Sequence, residues 1–402
     1  MTNNREYDVV LFGATGYTGR LVAEELVKRA HGARIALAGR NAERLYLLRD
    51  QLGRSTLPVL AGDIQDAGFL SQLARSTSVI CSTVGPYAQH GEGLVAACAQ
   101  AGTSYCDVTG EVPWMRRMID RYSETAQRSG ARLVHCCGFD SIPSDLGVWF
   151  LQAQARARFG KPCQHVRGAI MHVDGAPSGG TLASIDLLLQ EARKDPSVAE
   201  LLVDPYNLNP LSERSGPDGQ DRALPRRDAD YGWTAPSLMA TANTRVVRRT
   251  NAVLGYPYGR DFRYEEFLVA GPGLKGFAAA TALTLATIAA VTSLALPPLA
   301  AITRRLMPKP GAGMTAAQLA AGSFAMELLG STGSSRIRVR VNTDRDPLYA
   351  ATAIMLAEAA LCLAQDKGQL TVGGGSWTPA SLLGSMLVER LNQAGVRFVV
   401  ME

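Results

Sequence analysis

The first 140 residues alternate short apolar runs with stretches of helical period. Apolar runs fall at 7–12, 34–38, 56–61, 78–82, 104–107 and 132–136. Between them, 20–30, 41–52, 66–74, 93–100 and 113–128 repeat apolar positions at a spacing of three and four, the mark of amphipathic helices. Strands separated by helices of this length predict βαβ units and a parallel sheet. The expected fold class is therefore α/β, with an N-terminal doubly wound parallel sheet over residues 1–141.

From residue 142 the pattern changes. A strand is expected at 166–174 and a helix at 180–194. Residues 204–236 carry Pro205, Pro210, Pro217, Pro225 and Pro236 among Asp and Arg residues, which predicts a long irregular loop, either an active-site lid or a disordered insert. Residues 246–255 and 260–270 alternate like antiparallel strands, and 336–342 (RIRVRVN) has strict period two. Two amphipathic helices at 348–365 and 379–394 precede a final strand at 396–401. This predicts a second α+β domain over 142–345, followed by C-terminal helices and a strand, 346–402, that pack back on the first domain.

Residues 276–303 contain no charge and are rich in Ala, Leu and Thr up to Pro297-Pro298. The stretch before the proline pair is long enough to cross a bilayer, which takes about 20 residues. Three readings stay open: a helix buried in a large core, a contact with a lipid surface, and a true span. Arg304, Arg305 and Lys309 flank it on one side, as an anchor beside anionic head groups would require.

Charge and composition narrow the class. The chain has 402 residues, 47% of them hydrophobic and 19% charged, so it can bury a sizeable core. Its net charge of +5 is too modest to indicate nucleic acid. Residues 222–309 hold twelve Lys/Arg against five Asp/Glu, a basic region suited to a phospholipid surface or an acidic carrier protein, or simply a solvated face. Seven scattered cysteines without a C-x-x-C pair predict reduced thiols in a cytoplasm, and five histidines without ligand spacing give a metal site no support.

The chemistry is concentrated in the first domain. Gly13-Ala14-Thr15-Gly16-Tyr17-Thr18-Gly19 follows the first strand and opens the first helix. There Gly13 permits a tight turn, Gly16 lets the backbone approach a pyrophosphate, and Gly19 lets helix and strand pack closely. This is a dinucleotide site of the Rossmann type. At the end of the second strand, where an NAD site places an acid, the chain has Arg40, whose planar guanidinium suits a 2′-phosphate; NADPH is the expected cofactor. Asp63 lies past the third strand and can either reach the adenine edge or hold a turn. Ser82, Thr83, Val84, Gly85 and Pro86 follow the fourth strand, beside the expected nicotinamide ribose. Tyr87 and His90 are the candidate proton donors, against a packing role for each. Asp140 and the SGGT run, with Gly179, Gly180 and Thr181, are candidate substrate contacts, although Asp140 could equally cap a helix.

These residues resemble the saccharopine dehydrogenase-like oxidoreductases. The resemblance rests on GATGYTG, on AGRN after the second strand, on 83–111 (TVGPYAQHGEGLVAACAQAGTSYCDVTGE), on CGFDSIPSDLG at 137–147, on SGGT at 178–181 and on AATAIMLAEAALCLA at 350–364. Within that group it is most similar to the mycobacterial trans-acting enoyl reductases of phthiocerol and phenolphthiocerol lipid synthesis. The resemblance implies NADPH-dependent reduction of a carbon–carbon double bond on an acyl or polyketide chain held by a carrier protein of a polyketide synthase. The chain departs from the group at Asp346-Pro347-Leu348-Tyr349, where an Asp-Pro-Gly-Tyr turn is expected. Two alternatives stay beside it: an amino-acid dehydrogenase on the same fold, and a non-catalytic lipid-surface protein on a dinucleotide-binding scaffold. A cytoplasmic location, peripheral at the inner face of the plasma membrane, and a homodimer complete the expectations.

Overall fold

The computed structural model describes residues 5–175, 179–306 and 313–401. It forms two compact units. Of the described residues, the first comprises 5–142, 313–314 and 348–394, and the second 143–175, 179–306, 315–347 and 395–401.

The first unit is built on seven strands: β1 (Tyr7–Phe12), β2 (Ile35–Gly39), β3 (Val59–Ala61), β4 (Thr77–Ser82), β5 (Ser104–Asp107), β6 (Arg132–Val134) and, much later in the chain, β13 (Gly375–Trp377). Their order is β13-β6-β5-β4-β1-β2-β3, and every pairing is parallel. All of β2 and five of the six residues of β1 are buried, which is why both read as continuous apolar runs rather than alternating ones. The chain leaves β1 towards β2 on one side and reaches β4 on the other. That reversal opens a crevice at the carboxyl ends of β1 and β4, the place where such sheets bind ligands.

Helix Thr352–Gln365 packs on β1, β4 and β5 and on helix Tyr17–Arg29. Every residue from Thr352 to Leu363 is buried, so the helix is apolar all round and not amphipathic as its sequence suggests. Its one buried acid, Glu358, is paired with Arg29 and Arg390 at 3.3 and 3.2 Å. The C-terminal segment is split between the units: helix Pro379–Ala394 belongs to the first, but the last strand, β14 (Arg397–Met401), pairs with β12 (Ser335–Thr343) of the second.

The second unit holds a mixed sheet in the order β14-β12-β11-β7-β10-β9-β8. Its remaining strands are β7 (His165–Val173), β8 (Arg226–Asp228), β9 (Gly232–Pro236), β10 (Arg263–Gly271) and β11 (Phe324–Thr332). Only β7 and β10 run parallel. Strand β11 sits mid-sheet, buried along eight of its nine residues, and shows no alternation for a period-two search to find.

Two expectations change here. Residues 246–255 are not a strand: helix Ala240–Val253 covers 246–253, with Arg245, Arg248 and Arg249 at helical spacing and all three buried. Nor is 204–236 irregular throughout or a disordered insert: it contains β8 and β9, and buried arginines tie the rest. Arg248 bonds Asp218 at 2.7 Å and the Pro205 carbonyl at 3.0 Å, Arg245 binds Asp221 and the Leu202 carbonyl, and Arg249 binds the Leu208 carbonyl. Much of the basic region read from the sequence is therefore internal wiring. Nearby, Glu265 would be raised by burial, but His165 and Arg222 pull its pKa down to about 2.

The uncharged segment forms helices Gly273–Ala295 and Pro297–Leu306. Only a narrow stripe of the first, Gly276, Ala280, Thr284 and Leu294, is buried. A helix buried in a core is thus not what this segment forms.

Candidate functional site

The glycine-rich turn joins β1 to helix Tyr17–Arg29, and its geometry explains its glycines. Gly13 has φ +88°, and a Cβ there would stand 2.6 Å from Val84 Cγ2 and 2.9 Å from Thr83 Oγ1. A Cβ on Gly19 would lie 2.1 Å from the Gly13 carbonyl oxygen, so no other residue lets the helix start this close to the strand. Thr83 fastens the turn from the other side: its N–H donates to the Phe12 carbonyl at 3.0 Å and its hydroxyl to the Gly13 carbonyl at 3.1 Å. Gly16 is the N-cap. No side chain caps the helix and no acid occupies its first turn. Its first N–H groups therefore face outward with a positive dipole, a ready anion site. Gly13 to Gly19 and Thr83–Val84 thus meet at the crevice between β1 and β4, and their shape fits a dinucleotide pyrophosphate.

Arg40 is exposed directly after β2, and no ion pair engages it among the described residues. Such a cation fits a 2′-phosphate. Asp63, exposed after β3, accepts the Gln65 N–H at 2.9 Å and so shapes its own turn. That leaves its outward edge available to a base.

After β4 the chain turns through Ser82–Pro86 into the single-turn helix Tyr87–His90. The Tyr87 ring is 5% exposed, its hydroxyl donates to the Ser82 carbonyl at 3.1 Å, and it accepts the Val108 N–H at 3.4 Å. Burial, and behind it the charge of Asp107, pushes its pKa well above the ordinary phenol value. Tyr87 thus ties β4 to the loop after β5. Its proton is held by a backbone carbonyl rather than offered to a ligand. His90 is half-buried at the end of the same turn.

Sequence reasoning passed over the residue that organises this turn. Glu111, 6% exposed, accepts the N–H of Tyr87 at 2.9 Å and of Ala88 at 2.7 Å, one carboxylate oxygen for each. It caps the short helix from a distant loop, and a carboxylate is the strongest acceptor for that place. A second overlooked pair lies below it: Asp107 Oδ2 and His135 Nδ1 are 2.8 Å apart, both buried, with the Asp107 Oδ1 accepting the Thr109 and Cys136 N–H groups. An Asp at a strand end followed by an acid four residues on, as in Asp107–Glu111, was the only sequence sign of either.

Asp140 follows β6. Its carboxylate lies near Gly110, so it belongs to the same rim of strand ends as the 82–91 turn. Burial raises its pKa to about 6, leaving a carboxyl that still carries its proton in mildly acidic solution. In the second unit, Gly179, Gly180 and Thr181 open helix Gly179–Lys194, while Ser178 lies outside the described residues. The departure at 346–349 is accommodated by a π-helical turn, Pro347–Ala351, that seats the Tyr349 ring edge-on to Tyr17 at 4.8 Å. Tyr17 also donates to the Met314 carbonyl at 2.7 Å. A separate cleft of about 850 Å³ opens beside Asp8, at the other end of β1, but its Arg29, Glu358, Asp366 and Arg390 pair with one another.

Comparison with known proteins agrees with this site. The saccharopine dehydrogenase NADP binding domain matches residues 9–134. A Mycobacterium tuberculosis protein named as a candidate trans-acting enoyl reductase is 40% identical over 98% of this chain and 97% of its own. The trans-acting enoyl reductase of Mycobacterium ulcerans is 37% identical over the same shares. Among solved structures, apo saccharopine dehydrogenase (L-Glu forming) from Saccharomyces cerevisiae shares the fold, with TM-score 0.53 at 12% identity over 98% of this chain and 99% of that one. The cofactor is NADPH, the protein is an NADP-dependent oxidoreductase, and the chain belongs to the trans-acting enoyl reductase family.

Proposed function

We propose that the protein reduces the carbon–carbon double bond of an enoyl thioester presented by the carrier of a polyketide or fatty-acyl synthase, as a step of lipid biosynthesis on the cytoplasmic side. The observation that carries this reading is identity of 40% and 37% to proteins of that name along almost the whole chain, the second unit included. Bound NADPH supplies a hydride. Gly13–Gly19 would hold its pyrophosphate, Arg40 its 2′-phosphate and Asp63 its adenine edge, while Ser82–Pro86 would border the nicotinamide ribose. Glu111 and Tyr87 keep that border rigid.

The proton that completes the reduction comes from Asp140 or from water it orders. Asp140 has a carboxyl that burial keeps protonated up to about pH 6, and no hydrogen bond engages it among the described residues. Tyr87, whose hydroxyl is engaged, is the poorer donor.

The test is consumption of NADPH by the purified protein with a carrier-bound enoyl thioester. Turnover with NADPH exceeding that with NADH supports the proposal. Bound NADPH left unoxidised, or turnover only with an amino acid and its oxo acid, refutes it.

A further inference from the structure

Helix Gly273–Ala295 and helix Pro297–Leu306 present a broad apolar face to the outside of the second unit. Phe277, Leu283, Leu285, Ile288, Leu299 and Ile302 are each between 43% and 60% exposed. A solvent-facing helix of a soluble protein carries charged residues on that side, yet 276–303 has none.

Three of the hydroxyls on the first helix are already satisfied. Thr281, Thr287 and Ser293 donate their hydroxyls back to the helix carbonyls of Phe277, Leu283 and Ala290 at 2.8, 2.9 and 2.8 Å. Side chains that bond their own backbone need no water, which is the condition for entering hydrocarbon. Cations bracket the apolar stretch: Lys275 is exposed at one end and Arg305 at the other, and neither is ion-paired among the described residues. Arg304, beside Arg305, is held by Asp186.

The helix spans about 35 Å at 1.5 Å per residue, enough to cross a bilayer, but the fold ties it along its length. Its buried stripe faces its own sheet, and a Cβ on Gly276 would stand 1.9 Å from the Gly271 carbonyl oxygen. Phe277 meets the Trp233 ring of β9 edge-on at 4.7 Å, and Arg193 holds the Leu294 carbonyl at 2.6 Å. A helix fixed to a sheet on one side can offer lipid only the other. Self-association by a parallel pairing of the helix would set Lys275 of one copy against Lys275 of the next, like charge on like.

We infer that this face docks in the plane of an anionic phospholipid bilayer, apolar side chains in the acyl boundary and Lys275 and Arg305 among the head groups. This goes beyond the proposed reaction and stands whether or not enoyl thioesters are reduced.

Sedimentation with vesicles tests it. The full chain should pellet with vesicles of equal parts phosphatidylglycerol and phosphatidylcholine and far less with phosphatidylcholine alone. Leu285→Asp with Ile288→Asp should lower the bound fraction roughly tenfold, with NADPH affinity, measured in the same preparation, unchanged. Lys275→Glu with Arg305→Glu, which leaves the apolar face intact, should abolish the preference for anionic lipid. Three results overturn the inference: no pelleting with either vesicle or pelleting indifferent to both double variants; resistance to alkaline carbonate, the mark of a span; or a dimer that the Asp double variant dissociates, which makes the face a self-interface.

Discussion

Among the described residues, each unit contains one long apolar helix, Pro347–Gln365 in the first apart from its opening residue and Gly273–Ala295 in the second, and both are long and apolar enough to cross a membrane. Their surroundings are opposite: 83% of the most apolar window is buried in the first and 17% in the second. Composition alone does not separate them. Sheet strands, a neighbouring helix and two arginines enclose the first, with Glu358 paired at its side. The second is buried only at Gly276, Ala280, Thr284 and Leu294, and turns Leu283, Leu285 and Ile288 outward. An apolar run thus states what a segment must avoid, and its neighbours decide whether protein or something else provides the shelter.

Charge placed in each helix breaks the comparison most sharply. Leu356→Asp buries an unpaired carboxylate where exposure is 0%, and should cost about 4 kcal/mol or more, read as loss of the folded state in a urea titration. Gly13→Val leaves that core alone but forces a side chain onto φ +88° and into Val84. NADPH affinity should fall roughly a hundredfold in a fluorescence titration, with vesicle binding by the second unit unaffected. Arg40→Ala should weaken NADPH about tenfold or more and leave NADH unchanged.

Asp140 supplies a pH-dependent test. Its folded pKa of about 6 lies above the ordinary 3.8, so its contribution to stability is complete below the ordinary value and is lost as pH rises through 6. Asp140→Asn should match the wild type in acid and become the more stable of the two above that pH, while its enoyl reduction falls and loses its dependence on pH in this range. Denaturant midpoints and turnover measured across the interval check both halves. Smallest of all, Leu285→Asp on the exposed helix should move stability by only about 0.5 kcal/mol, measured as an unchanged thermal midpoint beside the collapse of Leu356→Asp.

The first unit was far more legible than the second. Its parallel strands are buried runs closed by turn residues, and GATGYTG carries its own steric reasons, so strands, helices and the cofactor cradle could be placed from local pattern. Elsewhere local pattern failed for identifiable causes. Val246 and Val247 favour a strand by propensity, yet buried arginines bound to a distant loop make 240–253 a helix. Strand β11 is buried on both faces and has no period. Glu111 acts on Tyr87 and Ala88 across more than twenty residues, a relation that exists only once β4 and β5 are side by side. Tyr87 was a fair candidate by type and position, but its neighbours engage its hydroxyl.

The central claim is that this NADPH site serves a carbon–carbon double bond. The most direct measurement is mass spectrometry of a carrier-bound enoyl thioester after incubation with the protein and NADPH deuterated at the transferable position. The account predicts a saturated acyl chain bearing one deuterium, at the β-carbon. Recovery of the unsaturated, unlabelled chain from a protein with bound cofactor would contradict it.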